Sequence, residues 1–343
     1  MISQNTVNVG VLGTGRIGRL HAEHLAYRIP NARLAAVADT NLAAAKACGE
    51  KLKVDKVYDN PKPILEDPDI EAVAICTSTN THSRLIEEAA AAGKQIFCEK
   101  PIDFDLQKID RALAAAESAG VKLQIGFNRR FDPNFSHVQQ AVAAGKIGQP
   151  HILRIASRDP EPPPPEYVKV SGGIFLDMTI HDFDMARYLI GSDVVRIFAV
   201  GGVRVDPRIG EAGDIDTAVI TLEFANGVIG TIDNCRQAVY GYDQRVEVFG
   251  ADGCICAENN TPNRTIQSDR VGVHSPLPLY FFMDRYIDSF IAEMSAFIEC
   301  IRNDTPPPVS GRDARIPVVM GLAAKRSLQE GRPVALAEVD TSE

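Results

Sequence analysis

The sequence predicts an α/β domain built on a doubly wound parallel sheet, followed by an α+β domain with a large, open, mainly antiparallel sheet. A length of 343 residues suits two domains of ordinary size. Short apolar strands alternate with helical patterns through residue 127, which is typical of βαβ units. Beyond that residue the chain is richer in strands, so we expect domains over 1–127 and 128–343.

The first half of the chain alternates strand and helix in a regular order. Strand patterns lie at 7–12, 33–38, 72–76, 95–98 and 122–126. Helical patterns lie between them at 17–27, 42–52, 82–92 and 106–119. The strands are apolar throughout, as expected when helices cover both faces of a parallel sheet.

The second half contains longer strands and fewer helices. Strand patterns lie at 152–157, 194–205, 217–224, 227–235 and 244–249. Asn226-Gly227 predicts a hairpin turn between two of these strands. Helices are expected at 178–190, 283–302 and 317–330, and the last is a candidate to pack back on the first domain. An apolar stripe at helical spacing, expected in the core, consists of Phe290, Met294, Phe297 and Ile301.

The composition excludes several classes of protein. Lysine and arginine total 36 against 45 acidic residues, a formal net charge of −9, so we expect no nucleic-acid partner and no membrane partner. No apolar run approaches the roughly 20 residues that span a bilayer, and no signal peptide is recognisable. The seven cysteines are scattered without a C-x-x-C pair, which favours a reduced, cytoplasmic protein. We expect Cys254 and Cys256 to be buried strand thiols on one face, rather than a metal or redox pair.

A glycine-rich turn follows the first strand, where residues 13–18 read GTGRIG and fit G-x-G-x-x-G. The turn opens a helix in the first βαβ unit, the context in which this pattern indicates dinucleotide binding. Gly13 permits the tight turn, Gly15 lets the backbone approach a pyrophosphate, and Gly18 lets the helix lie close to the sheet. The pyrophosphate would then meet free N–H groups at the positive end of the helix.

Asp39 ends the second predicted strand, 21 residues after Gly18. A carboxylate at this position accepts hydrogen bonds from the adenosine ribose and repels a 2′-phosphate. Thr40 follows it, and Arg16 is the nearby cation that could offset this repulsion. The pattern therefore favours NAD over NADP, with a plain turn residue as the alternative.

Two further segments carry candidate chemistry. Glu99-Lys100-Pro101 follows a parallel strand, at the edge of the sheet where ligands bind, and a lysine there can stabilise a developing alkoxide. Asp177 and His181 are four residues apart and Asp184 three further on, so one helix face would carry all three. A solvated lysine, a structural histidine and a metal site are the alternatives.

The Pro162–Pro165 run predicts a stiff loop, which we place beside a site rather than in an SH3-type ligand.

Together these motifs resemble the glucose–fructose oxidoreductase, inositol dehydrogenase and rhizopine catabolism (Gfo/Idh/MocA) family. The segments that match, in the family's order, are 13–18, 39, 77–82, 99–101, 126–132 and the helix around 177–181. Within the family, 126–133 and 172–187 are most similar to inositol 2-dehydrogenases. Asn128 stands where some of those proteins have methionine, which bears on substrate preference.

The resemblance implies a Rossmann domain, NAD as cofactor, a polyol as substrate and no metal. By position it makes Lys100, Asp177 and His181 the catalytic group. Three more residues would contact the polyol: Arg129, Asp184 and Tyr240. The positions implied around NAD are Gly13, Gly15, Arg16, Ile17, Gly18, Asp39, Thr40, Ser78, Asn80, His82, Glu99, Lys100 and Asn128. The family also implies a homotetramer built through the open sheet of the second domain.

The reaction favoured by this reasoning is the oxidation of myo-inositol to 2-keto-myo-inositol (scyllo-inosose), with a hydride passed to nicotinamide C4. Another inositol isomer or a monosaccharide such as glucose is the alternative substrate. A non-catalytic regulator that binds NAD and sugar would be expected to lose the lysine or the histidine, and both are present. An NAD-dependent glycosidase would be distinguished by net hydrolysis of an aryl glycoside.

Overall fold

The chain divides into two compact units in a computed structural model that describes residues 6–340. The first unit combines the residues up to Asn128 with Asp288–Ile316, and the second combines Arg129–Ile287 with the residues from Pro317 onward. The expected second domain is therefore not one continuous stretch, and the helix expected at 317–330 lies with the second unit. The outermost residues of the two expected domains, 1–5 and 341–343, lie outside the described residues.

The first unit contains a six-stranded sheet in the order β3-β2-β1-β4-β5-β6, and all its strand pairs are parallel. The strands are β1 Val7–Leu12, β2 Ala32–Ala38, β3 Lys56–Tyr58, β4 Ala72–Ile75, β5 Gln95–Glu99 and β6 Leu123–Gly126. The helices before residue 128 are α1 Arg16–Tyr27, α2 Leu42–Leu52, α3 Lys62–Leu65, α4 His82–Ala91 and α5 Leu106–Ser118. The doubly wound sheet is confirmed; the short elements β3 and α3 were not predicted. The strand order reverses between β1 and β4, and such a point is where α/β sheets bind ligands.

The second unit is built on a seven-stranded sheet in the order β12-β11-β7-β10-β9-β8-β15. Its pairs are antiparallel except β7 with β10, and a separate small hairpin joins β13 to β14. The strands are β7 Pro150–Arg158, β8 Val194–Gly202, β9 Thr217–Phe224, β10 Ile229–Cys235, β11 Asp243–Gly250, β12 Gly253–Ala257, β13 Gln267–Ser268, β14 Val273–His274 and β15 Val334–Ala335. The mainly antiparallel sheet and the hairpin at Asn226-Gly227 are confirmed.

The remaining helices follow in chain order. They are α6 Pro133–Ala143, α7 Pro165–Ser171, α8 Ile174–Asp177, α9 Thr179–Ile190, α10 Pro207–Glu211, α11 Phe282–Asn303 and α12 Gly311–Glu330. α11 has a non-helical residue, Tyr286, and α12 contains Pro317. The division between the units falls directly after Ile287 in α11 and directly before Pro317 in α12.

The apolar stripe of α11 lies in the core of the first unit, as expected. Met294 and Phe297 are fully buried in the cluster formed by β1, β2 and β4. The Phe97 ring of β5 lies 6.0 Å from the Phe297 ring. Because these residues repeat at helical spacing, the sequence could place them in the core without knowing which sheet they would cover.

Two expectations are wrong at the level of single elements. The last helix begins at Gly311 rather than at 317, because Ser310 Oγ accepts from the Asp313 N–H while the Asp313 carboxylate accepts from the Ser310 N–H, a reciprocal cap. Cys254 and Cys256 do share one face of β12, but both are exposed, because this face of the sheet is open: Phe249, the cross-strand partner of Cys254, is exposed as well.

Candidate cofactor and active site

The glycine turn after β1 is shaped by contacts that only glycine tolerates. Gly13 has a φ of +92°, and a Cβ there would lie 2.6 Å from the carbonyl oxygen of Cys76. A Cβ on Gly18 would lie 1.9 Å from the Gly13 oxygen, so α1 packs against the turn itself. A Cβ on Gly15, in contrast, would meet nothing within 4 Å. The open space at Gly15, at the start of α1, fits the approach of a pyrophosphate.

Asp39 is held at the carboxyl end of β2, directly beside this turn. Its Oδ2 accepts from the main-chain N (2.7 Å) and the hydroxyl (3.0 Å) of Thr14. Its Oδ1 accepts from the main-chain N of Asn41 at 2.8 Å. The carboxylate is thus oriented by the loops after β1 and β2, while Thr40 and Arg16 are exposed.

His82 ties the loop after β4 to the loop after β5. Its Nδ1 lies 2.8 Å from the Pro101 oxygen and its Nε2 lies 3.0 Å from the Thr77 oxygen. The ring is buried, and burial lowers the pKa of His82. Since both ring nitrogens face carbonyl oxygens, a cofactor contact at His82 would use main-chain atoms. Ser78 and Asn80, in the same loop, are exposed.

Lys100 follows β5 and is half-buried, and its peptide bond to Pro101 is cis. The preceding residue, Glu99, is anchored to α1, where His21 Nε2 lies 2.8 Å from Glu99 Oε1. This contact holds the end of β5 and hence the backbone that carries Lys100. Glu99 was expected near NAD; the structure shows where its carboxylate is held, and a cofactor contact stays a prediction.

A buried acid that the sequence analysis missed lies beside this contact. Glu293 Oε1 is 4.0 Å from His21 Nε2, and Glu293 is fully buried. Burial, together with the charge of Glu99, raises the pKa of Glu293 well above its usual range. Among the described residues, His21, Glu99 and Glu293 form the one group of metal-ligating types whose ligand atoms lie within 4.8 Å of one another. Neither Glu293 oxygen has a hydrogen-bond partner there. Nothing in the local sequence marks the cluster, because its members come from α1, β5 and α11.

Asn128 and Arg129, which follow β6, are both buried. The amide nitrogen of Asn128 has no hydrogen-bond partner among the described residues, so a donor remains for a ligand. Arg129 is engaged within the second unit, since its Nη1 lies 2.6 Å from Asp182 Oδ1 and its Nη2 lies 3.3 Å from Tyr242 Oη. Asp182 was not singled out from the sequence.

The single helix expected to carry Asp177, His181 and Asp184 is interrupted. Asp177 ends α8, Met178 intervenes, and α9 begins at Thr179. The His181 N–H donates to the Met178 oxygen, three residues earlier, at 3.3 Å. The Thr179 hydroxyl lies 3.2 Å from the Ile174 oxygen and 2.5 Å from Asn234 Oδ1, and its single proton can serve only one of these acceptors at a time. The prediction of one continuous helix is therefore wrong, whereas the shared face of Asp177 and His181, both half-buried, stays a prediction.

The other expected polyol contacts are held by arginines. Asp184 is buried, and both of its oxygens accept from the Arg130 guanidinium, at distances down to 2.6 Å. The Tyr240 hydroxyl donates to Asp243 Oδ2 at 2.6 Å and accepts from Arg158 Nη1 at 3.0 Å. These pairings orient the side chains, and contact with a polyol stays a prediction. The arrangement also disfavours the metal alternative at Asp184, since guanidinium protons occupy its oxygens.

The expected site residues thus divide between the units. The cofactor positions and Lys100 belong to the first unit, whereas Asp177, His181, Asp184, Arg129 and Tyr240 belong to the second. Arg130, Asp182 and Arg236 were not found from the sequence, because their partners lie 53 to 59 residues away along the chain. Tyr167, ten residues from its partner Asp177, was not found either. No helix in the described part of the chain is both long and apolar enough to cross a membrane.

Two family models match the chain. Residues 7–127 match the model of an oxidoreductase family with an NAD-binding Rossmann fold. Residues 135–256 match the model of the GFO/IDH/MocA C-terminal domain. The two matches fall on the parallel-sheet unit and on the large-sheet unit, respectively.

Relatives match nearly the whole chain. A myo-inositol 2-dehydrogenase of Thermotoga maritima is 50% identical over 333 residues, covering 97% of this chain and 99% of the relative. An inositol 2-dehydrogenase of Rhizobium meliloti is 44% identical over 97% of this chain and 100% of its own. A solved scyllo-inositol dehydrogenase of Lactobacillus casei, with bound NAD(H) and scyllo-inositol, is 30% identical with a TM-score of 0.91 over 97% of this chain and 99% of its own. The chain is an oxidoreductase of the Gfo/Idh/MocA family, with an NAD-binding Rossmann domain.

Proposed function

We propose that this protein oxidises a ring polyol with NAD, and that the substrate is myo-inositol, converted to scyllo-inosose. The observation that carries the proposal is identity of 44–50% over nearly the full length of two inositol dehydrogenases. A second candidate substrate is scyllo-inositol, because a solved relative contains that isomer with NAD(H).

The residues around the glycine turn fit NAD. The space at Gly15 would admit the pyrophosphate, Asp39 would accept from the ribose hydroxyls, and the spare Asn128 amide offers a further donor. The position of Asp39 disfavours a 2′-phosphate, because two carboxylate oxygens already oriented at the end of β2 would repel it. NAD supplies a nicotinamide carbon that accepts a hydride.

Residues of the chain itself must accept the hydroxyl proton and stabilise the negative charge that develops on the substrate oxygen. Oxidation of a carbinol releases the hydroxyl proton, and we assign its acceptance to His181, because an imidazole is the side chain that most often acts as a general base at neutral pH. Asp177 supplies a carboxylate that orients this base and favours its charged form. Lys100, at the end of β5, stabilises the alkoxide that develops as the proton leaves. Arg129, Asp184 and Tyr240 are proposed to contact the remaining hydroxyls.

We further propose a cytoplasmic homotetramer assembled through the large sheet of the second unit. Large apolar side chains are exposed on its strands, among them Val200 at 57% and Val219 at 54%, which are cross-strand partners. Ile229 and Phe249 on β10 and β11 are also about half exposed. Apolar exposure of this kind is typical of a surface that another chain covers. Light scattering after size exclusion tests the assembly.

The decisive experiment is a screen of NAD reduction over inositol isomers and hexoses. We expect myo-inositol to give the highest kcat/KM, and Lys100→Ala to lower turnover by on the order of 100-fold, the loss typical of one transition-state charge donor. The matched control is Lys62→Ala, an exposed lysine of α3, which should leave turnover unchanged. Absence of NAD reduction with every inositol isomer would exclude the proposed function, and full turnover in Lys100→Ala would remove this residue from the mechanism.

A further inference from the structure

Asp177 is held by two side chains that the proposed reaction does not yet use. Tyr167 Oη donates to Asp177 Oδ1 at 2.8 Å, and Arg236 Nη2 donates to Asp177 Oδ2 at 2.9 Å. All three residues belong to the second unit. We propose that Arg236 and Tyr167 are positioning residues that keep Asp177 ionised and in one orientation; this inference rests on the proposed role of Asp177 in the oxidation.

Arg236 is placed to neutralise a group of acids rather than to face solvent. The residue is only 3% exposed, and its Nη1 also lies 3.3 Å from Asp159 Oδ2. Its Nε has no hydrogen-bond partner among the described residues, so the terminal nitrogens carry its contacts with acids. The main-chain N–H of Arg236 donates to the main-chain carbonyl oxygen of Asp216 at 2.8 Å, which fixes the backbone directly after β10. A guanidinium stays protonated, so the cation is permanent.

Tyr167 reaches Asp177 because of the proline run noted in the sequence. The run ends where α7 begins, at Pro165, and proline at the start of a helix presets its backbone. Tyr167 is in the first turn of α7 and about half exposed. Burial and the charge of Asp177 raise the pKa of Tyr167, so its hydroxyl keeps its proton and remains a donor. The stiff loop therefore positions the neutral Tyr167 hydroxyl so that it donates to one carboxylate oxygen of Asp177.

The charges around Asp177 determine the sign of the expected pH effect. Among the described residues, Tyr167 and Arg236 contact Asp177, Asp159 contacts Arg236, and the charge of Asp214 acts on Arg236. His181 follows Asp177 by four residues. Burial raises the pKa of Asp159 and of Asp214, and charge on Asp177 raises both further. Arg236 is the cation that opposes these effects. Removing Arg236 raises the pKa of the acids and bases nearby. Because turnover depends on ionised Asp177 and neutral His181, the loss of turnover on the acidic side of the profile must then begin at a higher pH.

The experiment compares Tyr167→Phe, Arg236→Lys and Arg236→Gln with the unmodified enzyme, measuring kcat, KM and pH dependence with the polyol that the enzyme oxidises. We expect kcat to fall about tenfold in Tyr167→Phe, the loss of one hydrogen bond to a charged group, and on the order of 100-fold in Arg236→Gln. KM should change little. The acidic limb of the profile should move to higher pH in Arg236→Gln and be partly restored in Arg236→Lys.

The matched control is Tyr27→Phe, which removes the hydroxyl of an exposed tyrosine at the end of α1 and should change neither kcat nor the profile. A purely structural clamp would lower thermal stability while kcat and the pH limb of the folded protein stay unchanged, and that result would overturn the proposal. If Arg236→Gln does not fold, Tyr167→Phe decides, because it deletes one oxygen from a half-exposed side chain.

A second readout does not depend on turnover. Carbon-13 NMR of labelled aspartate, with the Asp177 signal assigned from Asp177→Asn, follows the ionisation of this carboxyl directly. We expect the Asp177 midpoint to rise in Arg236→Gln and, by less, in Tyr167→Phe; unchanged midpoints would overturn the inference. If the unmodified enzyme oxidises no polyol, the proposed function fails, while the NMR result still decides whether Arg236 and Tyr167 hold Asp177 ionised.

Discussion

In the second unit, Asp132, Asp182 and Asp184 are buried, and each is paired with an arginine. In the first unit, the fully buried Glu293 has a histidine and a second glutamate as its ionisable neighbours in the cluster. The same problem, a carboxyl group removed from water, is therefore met by a permanent cation in one unit and, at Glu293, by a raised pKa in the other. A guanidinium does not titrate in the working range, whereas a proton can be lost.

Asp39 represents a third solution within the first unit. Its carboxylate is half-buried and accepts three hydrogen bonds from Thr14 and Asn41. Hydrogen bonds orient a carboxylate without cancelling its charge, so Asp39 can still discriminate between a ribose and a phosphate. The comparison teaches that the compensating group, rather than burial alone, decides whether a carboxyl group is a fixed structural charge, a titrating group or a recognition element.

The largest expected effect comes from breaking an arginine pair. Arg129→Met leaves Asp182 buried without its cation, and loss of one partner from such a pair costs about 3–5 kcal/mol. We expect urea unfolding to show this loss. The control is Arg208→Met, which removes an exposed guanidinium that pairs with Asp206 and should change stability little. Equal unfolding curves for the two variants would contradict the distinction drawn between paired buried charge and surface charge.

A pH-dependent effect is expected at Glu293. Its pKa is raised on folding, so the native state holds a proton that the unfolded chain releases. The protonated Glu293 carboxyl therefore contributes stability at pH values below its pKa in the unfolded chain, about 4.3. This contribution is lost as pH rises towards its pKa in the native protein. Glu293→Gln removes this dependence, and the variant should gain about 1.4 kcal/mol relative to the unmodified protein per pH unit in that window.

The control for this measurement lies on the same helix. Glu299 is paired with Arg302, and its side-chain hydrogen bond with that arginine lowers the pKa of Glu299. A group with a lowered pKa stabilises the native state at pH values above its unfolded pKa, and this stabilisation is lost as pH falls. The pH dependence therefore has the opposite sign to that of Glu293. Glu299→Gln should therefore show no gain with rising pH. A flat difference for Glu293→Gln would mean that Glu293 is ionised in the native protein.

The smallest expected effect concerns cofactor choice at Asp39. Asp39→Ser combined with Thr40→Arg replaces the repelling carboxylate and adds a guanidinium for a 2′-phosphate. We expect the ratio of kcat/KM for NAD over NADP to fall by about tenfold or more, equivalent to about 1.4 kcal/mol. Asp39→Asn, which keeps the shape and removes the charge together with one of the two acceptor oxygens, separates repulsion from the new attraction. A preference of the unmodified enzyme for NADP would overturn the interpretation of Asp39.

The local features of this protein could be predicted from its sequence because each depends on residues close together in the chain. The glycine turn, the alternation of strand and helix, the hairpin at Asn226-Gly227 and the apolar stripe of α11 are all of this kind. The family motifs are equally local, and they sufficed to predict the fold class, the cofactor and the position of Lys100.

The tertiary structure decided which partners set the charge and the orientation of the buried acidic side chains. Arg236 meets Asp177 across 59 residues and His21 meets Glu99 across 78, separations at which no spacing rule operates. The break at Met178 has the same origin, because the Thr179 hydroxyl also lies 2.5 Å from Asn234 on β10. Residue types and periodicity predict which side chains turn inward; which cation, proton or hydroxyl meets them there depends on how the strands and helices are assembled.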